Sequence, residues 1–142
     1  MKTVKLILDS KNADIYGIAP DASVLDAIAM MAEKSVGALV VMTGERLAGI
    51  VSERDYARKV ILRGRSSHDT KVSEIMSTKV FTVSSGHTVE DCMGLMTERR
   101  IRHLPVVDGD KLVGVLSIGD LVKALLADRE ETIKQLESYI HQ

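Results

Sequence analysis

A chain of 142 residues with 45% hydrophobic content is long enough for one compact domain, or for two small units that share a core. Aromatic residues supply only 3% and tryptophan is absent, so the core must be aliphatic, filled by Val, Ile, Leu, Ala and seven Met. A formal net charge of −1 argues against general affinity for nucleic acid or anionic lipid, and the lone cysteine, Cys92, excludes an intrachain disulfide and makes a reducing compartment the default.

The N-terminal MKTVKLILDSK has too few consecutive apolar residues for the core of a signal peptide. No run approaches the roughly 20 apolar residues that span a bilayer, so a soluble, cytoplasmic protein is expected. After a short strand around Tyr16, Ser23 starts a helix, with Asp26 three residues on and Val24, Ala27, Ile28 and Met31 at helical spacing. Two β-branched runs, Ala38–Met42 and Leu47–Ser52, flank Thr43-Gly44-Glu45 and read as a hairpin. A second helix is expected over about Asp55–Leu62, then a linker at Gly64-Arg65-Ser66-Ser67.

The pattern then repeats. A shift of 65 residues superposes Val24 on Val89, Asp26 on Asp91, Met31 on Met96, Leu39 on Leu104, Gly44 on Gly109, and Gly49, Ser52 and Asp55 on Gly114, Ser117 and Asp120. Thr88 caps the helix carrying Cys92, Met93 and Met96. Leu104–Val107 and Leu112–Ser117 flank Asp108-Gly109-Asp110, and the last helix of the copy runs over about Asp120–Ala127. Upstream, Val4 and Lys11 match Val72 and Lys79 at a shift of 68, which assigns the first copy three extra residues near Asn12–Asp14. The expected fold class is α+β: two β-α-β-β-α repeats packed with pseudo-two-fold symmetry, the first over 1–65, the second over 66–127, and a helical tail over 128–142. One such repeat alone would bury too little surface to be comfortably stable.

Each copy carries Ser-x-x-Asp at a strand end. Read locally, Ser caps the helix and Asp completes the box, worth about 1 kcal/mol. Yet capping boxes prefer Glu or Gln at that position, and a carboxylate there is also placed to accept both hydroxyls of a ribose. Both readings stay open. Arg102 and His103 fit either a solvated strand edge or phosphate recognition, for which Arg offers a planar fork of donors. The first copy has Gly37 and Ala38 at those positions, so Arg54, and Arg58 a turn later, would have to supply its charge. Cys92 and the methionines lie at helical spacing and read as core. His68, His87 and His141 show no metal-ligand spacing, and the Rossmann and P-loop glycine fingerprints are absent.

The stretches V-x-x-I-M-S-T-K-V-x-T-V at 72–83, T-V-x-D-C-M-x-L-M at 88–96, I-R-H-L-P-V-V-D at 101–108 and G-V-L-S-I-G-D at 114–120 resemble a cystathionine-β-synthase (CBS) domain, and residues 15–62 resemble a second, diverged copy. The pair is similar to the tandem called a Bateman module. The resemblance implies a regulatory role rather than an enzyme, with two clefts that take adenine nucleotides (AMP, ADP or ATP), or NAD or S-adenosylmethionine, and no metal. It assigns Ser52 and Asp55 to one cleft and Ser117 and Asp120 to the other, the Asp on the ribose and the Ser near the phosphate. Adenine would rest near Tyr16 and Ala38 in the first cleft. In the second it would rest near Thr78 and Val80, taken as the match of Tyr16, and along Ile101–Pro105. Tyr16 reads equally well as an ordinary half-buried tyrosine. Arg102 and His103 would face the phosphates, with Arg54 and Arg58 acting in the first cleft.

The last segment places Ile133, Leu136 and Ile140 at spacings of three and four, a narrow apolar stripe on a charged helix. It fits either its own core or a second subunit, since stand-alone pairs of this family commonly form homodimers. The leading expectation is an adenine-nucleotide sensor that signals to a protein partner in trans. The alternative is a constitutive oligomerisation scaffold without a ligand.

Overall fold

Apolar spacing, caps and turn glycines translate directly into the elements of the computed structural model, which describes residues 2–11 and 14–140. In chain order these are α1 (Val4–Ser10), β1 (Gly17–Ile18), α2 (Val24–Lys34), β2 (Ala38–Thr43), β3 (Arg46–Ser52), α3 (Glu53–Tyr56) running into a π-helical turn (Ala57–Ile61), α4 (Val72–Ile75), α5 (Val89–Arg99), β4 (His103–Asp108), β5 (Lys111–Ser117) and α6 (Ile118–Ile140). The α+β class and the doubled pattern stand. Asn12 and Ala13, where the insertion is expected, lie outside the described residues, as does His141.

Two compact units form, and they do not follow the order of the repeats. One comprises residues 14–81; the other joins the N-terminal 13 residues to residues 82–142. The segment before each repeat thus packs with the other repeat. The boundary expected at 65/66 divides the repeats in sequence, whereas the packed unit runs on to Phe81.

In the unit of residues 14–81, β1 pairs parallel with β2, and β2 pairs antiparallel with β3. Gly44 turns the hairpin at φ +61°, where a side chain would be strained. Ser23 caps α2 by accepting the Asp26 amide at 3.1 Å. Val24, Ala27 and Met31 bury one face of α2 against Leu39, Val41, Val51 and Val60. α4 completes this core with Val72 and Ile75, and its segment is stitched to the start of α2 by Val24 N–H to Thr70 O (2.8 Å) and Val72 N–H to Ala22 O (2.9 Å).

The other unit repeats the scheme. Thr88 caps α5, Val89, Cys92 and Met96 are buried, and β4 and β5 form a hairpin turned by Gly109 at φ +63°. α1 takes the place of α4: Val4, Ile7 and Leu8 are buried, and Val4 N–H donates to His87 O at 2.9 Å while Val89 N–H donates to Lys2 O at 3.0 Å. The expected first strand of this copy shrinks to a single parallel bridge from Val83 to Val106, the counterpart of Ile18 on Val41. The expected break between a second helix and a tail is absent, because no glycine or proline follows Gly119; α6 runs unbroken over 23 residues.

Candidate functional site

β3 ends at Ser52 and β5 at Ser117, and in both copies a helix starts on the next residue. Ser52 is extended (φ −127°, ψ 166°), so its side chain turns toward the first helical amides: Ser52 Oγ accepts the Asp55 amide at 3.2 Å, and Asp55 Oδ2 accepts the Ser52 amide at 2.9 Å. The Ser52 hydroxyl also donates to Asp55 Oδ2 at 3.1 Å. Ser117 and Asp120 reproduce the box at 3.2 and 2.9 Å. The local reading is therefore true in both copies.

The glycine that opens each motif has a separate cause. A Cβ on Gly49 would stand 2.7 Å from the Ser77 carbonyl, and one on Gly114 would stand 2.7 Å from Leu8 Cδ2. The neighbours are the end of the α4 segment in one unit and α1 in the other. The first glycine of GIVSERD and GVLSIGD thus reserves room for the segment that covers the hairpin.

The hairpin register assembles the rest. Ala38 lies opposite Ser52 and His103 opposite Ser117. Glu53 N–H donates to Gly37 O at 3.0 Å, and Ile118 N–H donates to Arg102 O at 2.9 Å. The strand start, the capping serine and the carboxylate are thereby drawn together: Ala38, Ser52 and Asp55 in one copy; Arg102, His103, Ser117 and Asp120 in the other. Arg54 and Arg58 are exposed, on α3 and on the π turn that follows it. Arg102 is exposed and His103 half-buried.

Two lysines complete the junctions, and neither belongs to the motif. Lys59 sits a turn after Asp55 and contacts its Oδ1 at 3.2 Å while donating to Ile75 O at 2.8 Å. Lys11, at the C-terminal end of α1, donates to Asp120 Oδ2 at 2.8 Å and to Val115 O at 2.9 Å. Burial pushes the Asp120 pKa up, but the Lys11 ammonium and the Ser117 amide and hydroxyl outweigh it, so the carboxyl lies below its ordinary value and stays ionised. The cap and Lys11 both engage Oδ2; among the described residues nothing engages Oδ1.

The remaining candidates divide. Tyr16 is half-buried beside β1; its carbonyl accepts the Val40 amide at 3.3 Å, and Lys34 Nζ lies 5.4 Å from the centre of its ring. Ile101 is half-buried ahead of β4, and Pro105 is buried within it, accepting the Val83 amide through its carbonyl at 3.1 Å. Thr78 and Val80 fall in the unit of residues 14–81, not in the unit that holds Arg102, His103, Ser117 and Asp120. The shared register of Ile18 with Val41 and of Val83 with Val106 makes Phe81, not Val80 or Thr78, the counterpart of Tyr16. The 65-residue shift of the repeat gives the same match, since it carries position 16 to position 81. Cys92 is fully buried and its thiol is pushed up to about 11 by burial and by Asp91, which suits a core residue and not a nucleophile. Among the described residues no cluster of three His, Cys, Asp or Glu side chains could hold a metal ion, and no helix is long and apolar enough to cross a membrane.

Two hairpin-bearing repeats, each presenting a capped Ser-x-x-Asp junction beside the first residue of its hairpin, define a tandem repeat pair. The model of the CBS domain matches residues 11–62 and again 72–127, and the chain belongs to this family. Across 97% of its length it is 42% identical to CBSX3, a mitochondrial CBS domain-containing protein of Arabidopsis thaliana, of which it spans 71%. A protein with CBS domains from Burkholderia ambifaria superposes at a TM-score of 0.87 and 54% identity, over 89% of this chain and 96% of that one. A CBS domain pair in complex with 5-methylthioadenosine and S-adenosyl-L-methionine shares the fold at a TM-score of 0.80 and 23% identity, over 90% of this chain and 98% of that one.

Proposed function

We propose that the two Ser-x-x-Asp junctions bind adenosine-containing ligands and that the pair regulates a partner protein in trans. The observation that carries this reading is the Asp120 carboxylate: held ionised, fixed through Oδ2, and left with Oδ1 to accept a ribose hydroxyl. Beside it Arg102 and His103 offer donors to a phosphate, and Ile101 offers an apolar edge to a base, with buried Pro105 supporting the strand beneath. The crystallised relative with two adenosine derivatives supports the ligand class. In the first copy Ala38 replaces His103, so Arg54 and Arg58 supply the charge from α3 and the π turn, and Tyr16 offers its ring to the base. The two junctions therefore differ in preference: the second favours AMP, ADP or ATP, and the first is more tolerant of NAD or S-adenosylmethionine. Each candidate group has a binding role, so the reading needs neither catalysis nor a metal. It places the protein as a homodimer in the cytoplasm, where a reduced Cys92 is at home.

One observation favours the second reading, a scaffold. α6 leaves Leu126, Ile133, Leu136 and Ile140 exposed, a stripe suited to a second subunit. Melting temperatures decide between the two. A ligand present at a hundredfold excess over its Kd adds about 2.7 kcal/mol to the folded state, several degrees for a domain of this size. AMP, ADP, ATP, NAD and S-adenosylmethionine are tested at millimolar concentration, and at least one is expected to give that shift. No shift with any of them transfers the function to the scaffold.

A further inference from the structure

The two junctions hold their carboxylates with lysines from different places. In the first copy the cation is Lys59, one helical turn beyond Asp55 on the same helix. In the second it is Lys11, which reaches Asp120 from the end of α1, more than a hundred residues away in sequence. α1 has only seven residues, too few to persist as a helix in water by itself, so its order depends on docking. That docking rests on buried Val4, Ile7 and Leu8, on the fit of Leu8 against Gly114, and on Lys11, which joins it to Asp120 and to the Val115 carbonyl of β5. The Lys11 and Asp120 side chains are 31% and 24% exposed, so solvent screens the pair less than it would a surface pair.

Resting on the nucleotide reading of the second junction, we propose that Lys11 is a positioning residue that couples occupancy of the Asp120 site to docking of α1, making this helix the element through which that site is read by a partner. With Lys11 on Oδ2, the carboxylate is turned so that Oδ1 faces the ligand; when α1 lifts away, Asp120 loses its cation and that orientation. Ligand and docked α1 therefore favour one another, and the coupling is reciprocal: whatever α1 docking does for the ligand, the ligand does for α1. The Asp55 junction is wired the other way round: its lysine sits on the carboxylate's own helix and reaches the covering segment α4 only through the Ile75 carbonyl, so Asp55 keeps its cation whether or not α4 is docked.

Hydrogen exchange of the α1 amides with and without saturating AMP tests the coupling, with calorimetry on the same samples. Wild-type protein is expected to bind AMP and to slow α1 exchange by about fivefold or more, the lower range of known coupling factors. Lys11→Met is expected to bind AMP more weakly and, at saturation, to show no ligand-dependent slowing. Lys11→Arg, which keeps a cation in reach of Asp120, is expected to restore part of it. The ion pair of Lys2 with Asp128 (3.3 Å) survives in both variants and keeps a tether on the N-terminal segment. AMP binding without slowing in the wild type, or with equal slowing in Lys11→Met, overturns the coupling and leaves the nucleotide reading standing. No heat with AMP, ATP, NAD or S-adenosylmethionine overturns both.

Discussion

Gly49 and Gly114 occupy the same position in their repeats, yet the neighbours that exclude a side chain differ in kind. Gly114 faces the end of a leucine side chain, which can change rotamer; Gly49 faces a backbone carbonyl, that of Ser77, which itself accepts the Ile50 amide at 3.0 Å. Gly49→Ala is therefore expected to destabilise by about 2–3 kcal/mol and Gly114→Ala by about 1 kcal/mol, within the range for overpacking. Urea denaturation measures both, and adding Leu8→Ala is expected to relieve the second and not the first. Asp120 gives a pH dependence. Its folded-state pKa lies below the ordinary 3.8, so its contribution is complete above pH 3.8 and is lost as pH falls through the folded value. Asp120→Asn removes that part of the acid sensitivity, read as a smaller change in urea midpoint across the acid range. Ser52, Asp55, Ser117 and Asp120 were legible in the sequence because a cap is local. Lys59 was legible in principle, because a cation four residues after a helical carboxylate lies within its reach. Lys11 was not, since nothing in a linear pattern tells which distant cation folds back onto a carboxylate.

Among the elements, β2 to β5 and the starts of α2 and α5 match the sequence reading within a residue or so, because β-branched runs around Gly44 and Gly109 and the Ser23 and Thr88 caps are strong local signals. The first strands were overstated. Two residues at Gly17–Ile18 and one bridge at Val83 are held by the neighbouring strand rather than by propensity. The π turn after α3, closed by Leu62 N–H to Ala57 O at 3.0 Å, had no signal in the sequence, and we have no physical account of it. α2 and α5 both end on a left-handed residue that is not glycine, Ser35 at φ 56° and Arg100 at φ 54°. That conformation costs a residue with a Cβ about 1–2 kcal/mol, partly offset by the greater freedom of glycine when unfolded. Ser35→Gly is accordingly expected to stabilise by about 0.5–1 kcal/mol, seen as a higher thermal midpoint. An unchanged or lowered midpoint would mean that the serine side chain contributes more than its strain.

Across the molecule, the 65-residue shift in sequence reappears as a shift in geometry: caps, turn glycines, left-handed helix ends, hairpin registers and junction boxes all recur in pairs. What the repeat did not disclose is which segment covers which hairpin. Val4 with Ile7 and Val72 with Ile75 carry the same pattern at a shift of 68, and each would fit either core by hydrophobicity alone; the assignment comes from long-range packing. The central claim is that the repeated carboxylates are ligand-binding groups and not caps alone. Calorimetric titration of AMP into wild type, Asp120→Asn and Asp55→Asn tests it most directly. A hydrogen bond to a charged group contributes roughly 1.5–3 kcal/mol, and losing about 2 kcal/mol weakens binding roughly thirtyfold. Asp120→Asn is expected to produce that loss at one site and leave the other unchanged, with Asp55→Asn giving the converse. Undiminished AMP affinity at both sites in both variants would contradict the account and leave the repeated Ser-x-x-Asp as a device for starting helices.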